Sequence, residues 1–222
     1  MVTQEEIEAV GSWFHNVRFP NGLETLPGVA NPRPLWHESI QFLGDLQGKT
    51  VLDIGCNGGY LEAKLEPMGA KVTAVDLQDK FINQTNLVKR GFDLTCEVFR
   101  ADVEEFHIMP AMAGRKFDIV LFLGVIYHVN NPMRAMTNAL NMAKDYVLVE
   151  SAISPLKGSV AEYLNNDHYL NTWLPSRDCL LKLIDCCGGE VQAELVRPSA
   201  SSRRFFKVTP TGKVGVKGRD YS

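Results

Sequence analysis

The sequence predicts an α/β fold: a doubly wound, mostly parallel sheet with an antiparallel hairpin at one edge. Three observations lead there. From Lys49 onward, β-rich apolar segments alternate with helical ones over about 100 residues, and parallel strands need such helical crossovers. The first segment ends in an acidic residue and runs into a glycine-rich turn, as strands do before a helix in sheets of this kind. Two late segments, Glu190 to Val196 and Arg203 to Val208, are too close for a helix between them and so form the hairpin.

Taken in order, Thr3 to Phe14 places Ile7, Val10, Trp13 and Phe14 at helical spacing, with Thr3 and Glu6 in a capping-box pattern. Phe19 to Pro34 contains Pro20, Pro27, Pro32 and Pro34 among polar residues and reads as an irregular connection. Helical periodicity resumes over Leu35 to Phe42. Residues 1–48 are therefore expected to form an N-terminal helical lid, 49–209 the α/β domain and 210–222 a basic tail. Within the domain, strands are expected at Thr50 to Ile54, Lys71 to Val75, Leu94 to Arg100, Phe117 to Leu123 and Tyr146 to Glu150. The helix after the first strand is expected to start near Tyr60.

A chain of 222 residues suits a single well-buried core. Its 45% hydrophobic and 22% charged composition is that of a globular protein, and no apolar run approaches the roughly 20 residues of a membrane span. The acidic start, Met1 to Glu6, lacks the basic and apolar regions of a secretory signal, so a cytoplasmic location is expected. Cys56, Cys96, Cys179, Cys186 and Cys187 make an odd set with no C-x-x-C pair, which predicts neither disulfides nor a metal site. Cys186 and Cys187 read as small buried hydrophobes at a helix end. The formal charge of -3 hides an asymmetry: from Arg197 onward, Arg197, Arg203, Arg204, Lys207, Lys213, Lys217 and Arg219 face Asp220 alone. A basic end on an acidic body suits either a phosphate-bearing partner or a merely solvated segment.

The candidate chemistry begins where the first strand reaches Asp53 and enters Gly55, Gly58 and Gly59. Glycines there permit positive φ and close approach of a ligand to the main chain. The next strand ends at Asp76, whose carboxylate can accept both hydroxyls of a ribose. A dinucleotide fingerprint would read G-x-G-x-x-G, and Asn57 breaks it, which disfavours a nicotinamide or nucleotide-sugar enzyme. Asn tolerates left-handed backbone better than most residues, so the turn itself survives.

The string Val51-Leu52-Asp53-Ile54-Gly55-Cys56-Asn57-Gly58-Gly59-Tyr60-Leu61, with Ala74-Val75-Asp76 downstream, resembles the first motif of class I S-adenosylmethionine-dependent methyltransferases and its acidic partner. Ala101-Asp102-Val103 resembles the family segment at the adenine, and Phe117-Asp118-Ile119-Val120 the fourth strand, which ends beside the methyl group. The resemblance implies a Rossmann-like fold and S-adenosylmethionine held by Asp53, Gly55, Asn57, Gly59 and Asp76, with Asp102, Val103 and Leu123 flanking the adenine and the reacting methyl. Asp118 reads as a strand anchor.

Gly124-Val125-Ile126-Tyr127-His128, followed by Asn131-Pro132, is similar to a segment of the tRNA wobble-uridine methyltransferases, which build methoxy or carboxymethoxy groups on a 5-hydroxyuridine. Trp36, Asn171 to Ser176 and Leu180 to Gly188 resemble further features of that family. The resemblance makes Tyr127 and His128 the candidate catalytic residues and a modified uridine of tRNA the leading acceptor. In the carboxymethylating members a lysine, the motif's tyrosine and a C-terminal arginine read carboxy-S-adenosylmethionine. Tyr127 matches the tyrosine, Arg203 or Arg204 the arginine, and only Asn16 or Arg18 stands near the lysine position, so plain S-adenosylmethionine is the expected cofactor. A small-molecule O- or N-methyltransferase is the alternative, and a non-catalytic cofactor-binding module another. Trp13, Phe14, His15, Trp36, Tyr169 and Trp173 are aromatic candidates for the acceptor site. The sequence specifies no oligomeric state.

Overall fold

The structure is a computed structural model that describes residues 1–25, 30–164 and 172–212. Residues 26–29, Tyr169, Asn171, Lys213, Lys217 and Arg219 lie outside the described residues.

The N-terminal region contains α1 (Gln4–Ala9) and α2 (Arg33–Ser39). The capping box at Thr3 and Glu6 forms as expected, but α1 stops after one and a half turns, so Trp13 and Phe14 fall beyond it. Gly11, at φ 82°, takes the chain out of helical geometry there. The α/β part then runs β1 (Thr50–Ile54), α3 (Glu62–Leu65), β2 (Lys71–Asp76), α4 (Asp79–Gly91), β3 (Glu97–Arg100), β4 (Phe117–Leu123), α5 (Pro132–Met142) and β5 (Ala143–Ala152). A two-stranded ribbon, β6 (Ala161–Leu164) and β7 (Thr172–Pro175), precedes α6 (Arg177–Cys186) and the final hairpin of β8 (Gly189–Arg197) and β9 (Ala200–Pro210).

Seven strands form one sheet in the order β3-β2-β1-β4-β5-β9-β8. The pairs β1 with β2, β1 with β4 and β2 with β3 are parallel, whereas β9 is antiparallel to both β5 and β8. The doubly wound sheet with an antiparallel edge hairpin is thus as the sequence predicts. Several boundaries differ: β3 begins at Glu97, not Leu94, and β5 runs from Ala143 to Ala152, beyond the expected Tyr146 to Glu150. α3 begins at Glu62, not near Tyr60, because Gly59 at φ 77° keeps the turn out of helical geometry. The β6–β7 ribbon, paired from Ala161↔Pro175 to Leu164↔Thr172, has no counterpart in the sequence reading.

The residues fall into two compact units, Met1–Val103 with Phe117–Leu121, and Glu104–Lys116 with Phe122–Ser222. In the first, Val51, Leu52, Ala74, Val75 and Ile119 to Leu121 are buried, the continuous apolar runs of strands covered on both faces. In the second, Phe122, Ile126, Val147 to Val149, Leu180, Ile184, Phe205 and Phe206 make the core. Cys187 is buried but Cys186 is exposed, so only one of the two behaves as a packed hydrophobe. No helix among the described residues is long and apolar enough to cross a membrane.

Asp118 anchors the β1–β4 edge: its Oδ2 accepts from the Thr50 backbone N–H (2.7 Å) and hydroxyl (2.8 Å), and its own N–H donates to Thr50 Oγ1 (2.9 Å). Because a backbone donor in a half-buried site would lose a charged acceptor, Asp118→Ala should destabilise the protein by about 1.5–3 kcal/mol. Urea unfolding measures it, and a loss below about 0.5 kcal/mol would make the anchor dispensable.

Candidate functional site

In the first unit the glycine-rich turn is stapled to β2. The N–H groups of Gly55 and Cys56 donate to the Val75 carbonyl (2.8 and 3.1 Å), and the Asn57 N–H donates to Asp76 Oδ2 (3.1 Å). Gly55 (φ 80°), Asn57 (φ 53°) and Gly59 (φ 77°) are all left-handed, and Asn57 Oδ1 accepts from the Gly58 N–H (2.8 Å), stabilising the one non-glycine that adopts this shape. Gly59 is also a contact requirement: a Cβ there would lie 3.1 Å from Thr85 Cα and Val88 Cβ of α4. Thr85 in turn donates its hydroxyl to the Asn57 carbonyl (2.8 Å).

Asp76, at the carboxyl end of β2, also accepts from the Gln78 N–H (3.0 Å). Burial raises its pKa, while the backbone N–H groups of Gln78, Asn57 and Leu77 pull the other way. A carboxylate has about four lone-pair sites, so these chain donors leave room for a further donor such as a hydroxyl. Ala101 bonds to the Asp76 carbonyl, which brings Asp102 and the buried Val103 to the end of the neighbouring β3. Asp53, Gly55, Asn57, Gly59, Asp76, Asp102 and Val103 thus all lie at the carboxyl ends of β1 to β3 or just beyond them, where sheets of this kind present ligands.

The N-terminal segment packs on this turn. Trp13 donates its indole N–H to the Ile7 carbonyl (3.0 Å), and a Cβ on Gly58 would come within 3.0 Å of its ring. Gln84 of α4 holds the same segment by donating to the carbonyls of Val10 (3.2 Å) and Ser12 (3.0 Å). His15 stands edge-on to Tyr60 at 6.5 Å, and burial lowers its pKa to about 4, so it is neutral. Trp36 is a buried α2 residue. Of the aromatic candidates in this unit, Trp13 is the one packed on the turn itself. Gln84 was missed because a Gln on a helix carries no motif.

In the second unit, Leu123 ends β4 and Gly124 follows at φ 73°, its N–H bonded to the Glu150 carbonyl (3.0 Å). Tyr127 and His128 stand with ring centroids 4.3 Å apart. Arg203 Nη2 donates to the Tyr127 hydroxyl (2.7 Å) and to Glu150 Oε2 (2.7 Å), while its Nε donates to Glu150 Oε1 (2.6 Å). Arg197 Nη1 adds a further bond to Glu150 Oε1 (2.8 Å). Two guanidiniums therefore share one carboxylate that is 1% exposed. Burial, then the Arg203 charge, lowers the His128 pKa, and burial raises that of Tyr127. Both are neutral at pH 7. The Trp173 backbone N–H donates to the Tyr127 carbonyl (3.1 Å), which joins β7 to the motif, and its indole N–H is buried without a partner among the described residues.

The basic residues of the C-terminal region are less available than the sequence suggests. Arg197 and Arg203 are held by Glu150, Arg204 pairs with Glu194 (2.8 Å), and Lys207 stands 4.0 Å over the Tyr146 ring. Of the two candidate arginines, Arg203 is the one that meets Tyr127. Near the expected lysine position, Asn16 spends its side-chain amide on the Thr25 carbonyl (2.8 Å). Two cavities of about 510 and 600 Å³ open elsewhere in this unit, one beside His107 and Asn138, the other beside Ser154, Lys157 and Arg204. No predicted cofactor residue lines either.

Comparison with known proteins agrees with this geometry. Residues 30–179 match the family described as Methyltransferase domain. A ubiquinone biosynthesis O-methyltransferase of Dechloromonas aromatica (strain RCB) is 32% identical over 64% of this chain and 59% of its own length. A tRNA U34 carboxymethyltransferase of Histophilus somni (strain 2336) is 28% identical over 69% of this chain and 49% of its own. The chain thus spans about half to three-fifths of these relatives. Among solved structures, the N-terminal domain of EvdMO1, crystallised in the presence of SAH and D-fucose, superposes with a TM-score of 0.69 at 17% identity, covering 92% of this chain and 93% of that one. This chain belongs to the methyltransferase-domain family and shares the Rossmann-like fold of that solved structure.

Proposed function

We propose that this protein transfers the methyl group of S-adenosylmethionine to an oxygen atom of a small organic acceptor. The observation that carries the cofactor assignment is the turn stapled to β2, in which the Asn57 N–H meets Asp76 and three left-handed residues bare the main chain. Asp76 would hold the ribose, Gly55, Asn57 and Gly59 would let the backbone approach the amino-acid end, and Asp102, Val103 and Leu123 would flank the adenine and the methyl. Asp53 supports the turn from within β1. The bound cofactor supplies an electrophilic methyl on a sulfonium, whose departure leaves a neutral thioether, so alignment and exclusion of water do much of the work. On this reading residues 1–48 act as a lid, which the packing of Trp13 on Gly58 supports.

Tyr127 and His128 serve the acceptor. A neutral imidazole beside a guanidinium can take a proton from an acceptor hydroxyl, and Arg203 keeps the Tyr127 hydroxyl oriented. The small acceptor is favoured over RNA because Arg197, Arg203 and Arg204 are all tied to carboxylates and so are poorly placed to meet phosphates. The O-methyltransferase name of the Dechloromonas relative supports an oxygen acceptor. A tRNA wobble uridine with a carboxylated cofactor is the second reading, favoured by the Tyr127–Arg203 bond and by the Histophilus relative. Mass analysis of a co-purified ligand separates plain from carboxylated cofactor.

Three outcomes are expected. Asp76→Ala weakens S-adenosylhomocysteine binding by about 1.5–3 kcal/mol, the scale of hydrogen bonds to a charged group; unchanged affinity by calorimetry in a folded variant removes Asp76 from the site. Tyr127→Phe and His128→Ala lower kcat more than they change cofactor affinity. Because the His128 pKa is lowered, its base form persists as pH falls through the ordinary histidine value, and the acid limb of kcat lies below that value; a limb that stays in place in His128→Ala excludes it as the base. Charge reversal at Arg204 and Lys207 leaves acceptor binding unchanged. If the acceptor is instead RNA, log affinity falls with log salt by about 0.7 per phosphate contact on a single strand and the reversal reduces that slope.

A further inference from the structure

Beneath the turn lies a pair of buried acids on which no cation among the described residues is seen to act. Asp53 is 1% exposed and Glu62, the first residue of α3, is 0% exposed. Their carboxyl groups sit against each other, and Asp53 Oδ2 and both Glu62 oxygens are buried without another hydrogen-bond partner among the described residues. The groups around them are Asp76 at the end of β2, Cys56 in the turn, whose sulfur meets the Thr85 hydroxyl of α4 at 3.5 Å, Glu66 after α3, and Cys96 before β3. Lys89 of α4 acts on Cys96. The charged groups that act on the pair, Asp76 and Glu66, are acidic.

Two ionised carboxylates packed together in such a site would each lose hydration and repel the other. One proton removes both costs, because a protonated carboxyl donates to an ionised one in a short, charge-assisted bond. We propose that Glu62 is a positioning residue for the cofactor turn: it keeps its proton and shares it with Asp53, fastening the start of α3 to the end of β1 across Gly55 to Leu61. The burial of both groups pushes their pKa values up, Asp53 to about 7 and Glu62 well above the carboxyl range, in keeping with a retained proton.

The sign of the pH effect follows. The unfolded chain gives up both protons in the ordinary carboxyl range, while the folded chain keeps at least one through neutral pH. Folding therefore takes up protons, and stability falls as pH rises from that range toward and past neutrality, the unfolding constant rising by up to about tenfold per pH unit for each proton retained. Glu62→Gln keeps the shape and a donor but has no proton to lose, so its loss of stability with rising pH should be shallower than wild type by up to that factor, and it should gain on wild type at alkaline pH. Glu62→Ala should be weakened at every pH. Asp53→Asn, a second variant that neutralises the other member, should flatten the slope likewise.

The test is ligand-free urea unfolding of the full chain from weakly acidic to alkaline pH, with S-adenosylhomocysteine affinity measured by calorimetry at both ends. Wild-type affinity should fall toward alkaline pH and that of Glu62→Gln should not. Unfolding slopes parallel to wild type in both Glu62→Gln and Asp53→Asn would overturn the shared proton. The word cofactor here rests on the proposed function, and failure of wild type to bind S-adenosylhomocysteine at any pH would overturn that reading and the turn-positioning role together, while the unfolding slopes still decide where the proton is.

Discussion

The hydrogen bond from the Asn57 N–H to Asp76 organises the first unit, because it closes a series of three. Gly55, Cys56 and Asn57 present consecutive N–H groups to the end of β2, two to the Val75 carbonyl and the third to the Asp76 side chain. A turn that leaves a parallel strand has its backbone donors unpaired, and an unpaired buried donor costs about as much as a lost hydrogen bond. The neighbouring strand removes that cost only if β1 and β2 keep the register Asp53↔Ala74 and Ile54↔Val75. The left-handed residues then follow from geometry, and Gly59 follows twice over, since Thr85 and Val88 leave no space for a Cβ. A single carboxylate thus fixes the turn by accepting from the N–H groups of both Asn57 and Gln78.

Glu150 has the corresponding role in the second unit. A lone carboxylate at 1% exposure would be costly, and one matched by Arg197 and Arg203 is not, because the two guanidiniums fill its acceptor sites with charge-assisted bonds. The arrangement depends on β9 lying antiparallel to β5 with Ser151↔Arg204 and Ala152↔Arg203, which sends successive arginines to opposite faces. Arg203 therefore meets Glu150 and Tyr127, and Arg204 meets Glu194. Burial, and then the Arg203 charge of this cluster, lowers the pKa of His128 beside it. Removing Glu150 would take the carboxylate from a buried Arg197 and a partly exposed Arg203, so the hairpin and the Tyr127 motif are coupled through it.

What the sequence disclosed, and what it did not, divides along physical lines. Strand positions such as Thr50–Ile54 and Phe117–Leu123 were legible because buried parallel strands are continuous apolar runs. Asn57 and Gly59 were legible because left-handed backbone restricts residue choice. The end of α1 was not, since Trp13 serves packing on Gly58 and not a further helical turn, and Phe14 is exposed. The β6–β7 ribbon was not, because half-exposed short strands such as Ala-Glu-Tyr-Leu have little apolar alternation to show. Glu62 was missed for the opposite reason: a Glu early in a helix looks like an ordinary first-turn acid, and its burial depends on a fold that periodicity does not report.

The same limit applies to charge, and it bears on what this family member takes as acceptor. Counting Lys and Arg from Arg197 onward makes the C-terminal region look like a phosphate-binding strip. Paired by the strand register, Arg197, Arg203 and Arg204 instead neutralise Glu150 and Glu194, and Lys207 lies over an aromatic face. A cation already matched at 2.6 to 2.8 Å has to break a charge-assisted bond before it can take a phosphate, so much of the gain from the new pair is offset. Net charge counts residues, whereas binding counts unmatched ones. The His128 imidazole beside Tyr127 and the buried Trp173 indole N–H are both neutral. Neutral donors and acceptors around aromatic rings suit a small, largely uncharged molecule whose hydroxyl must be oriented and deprotonated, which is why the small-acceptor reading draws more from this structure than the polyanionic one.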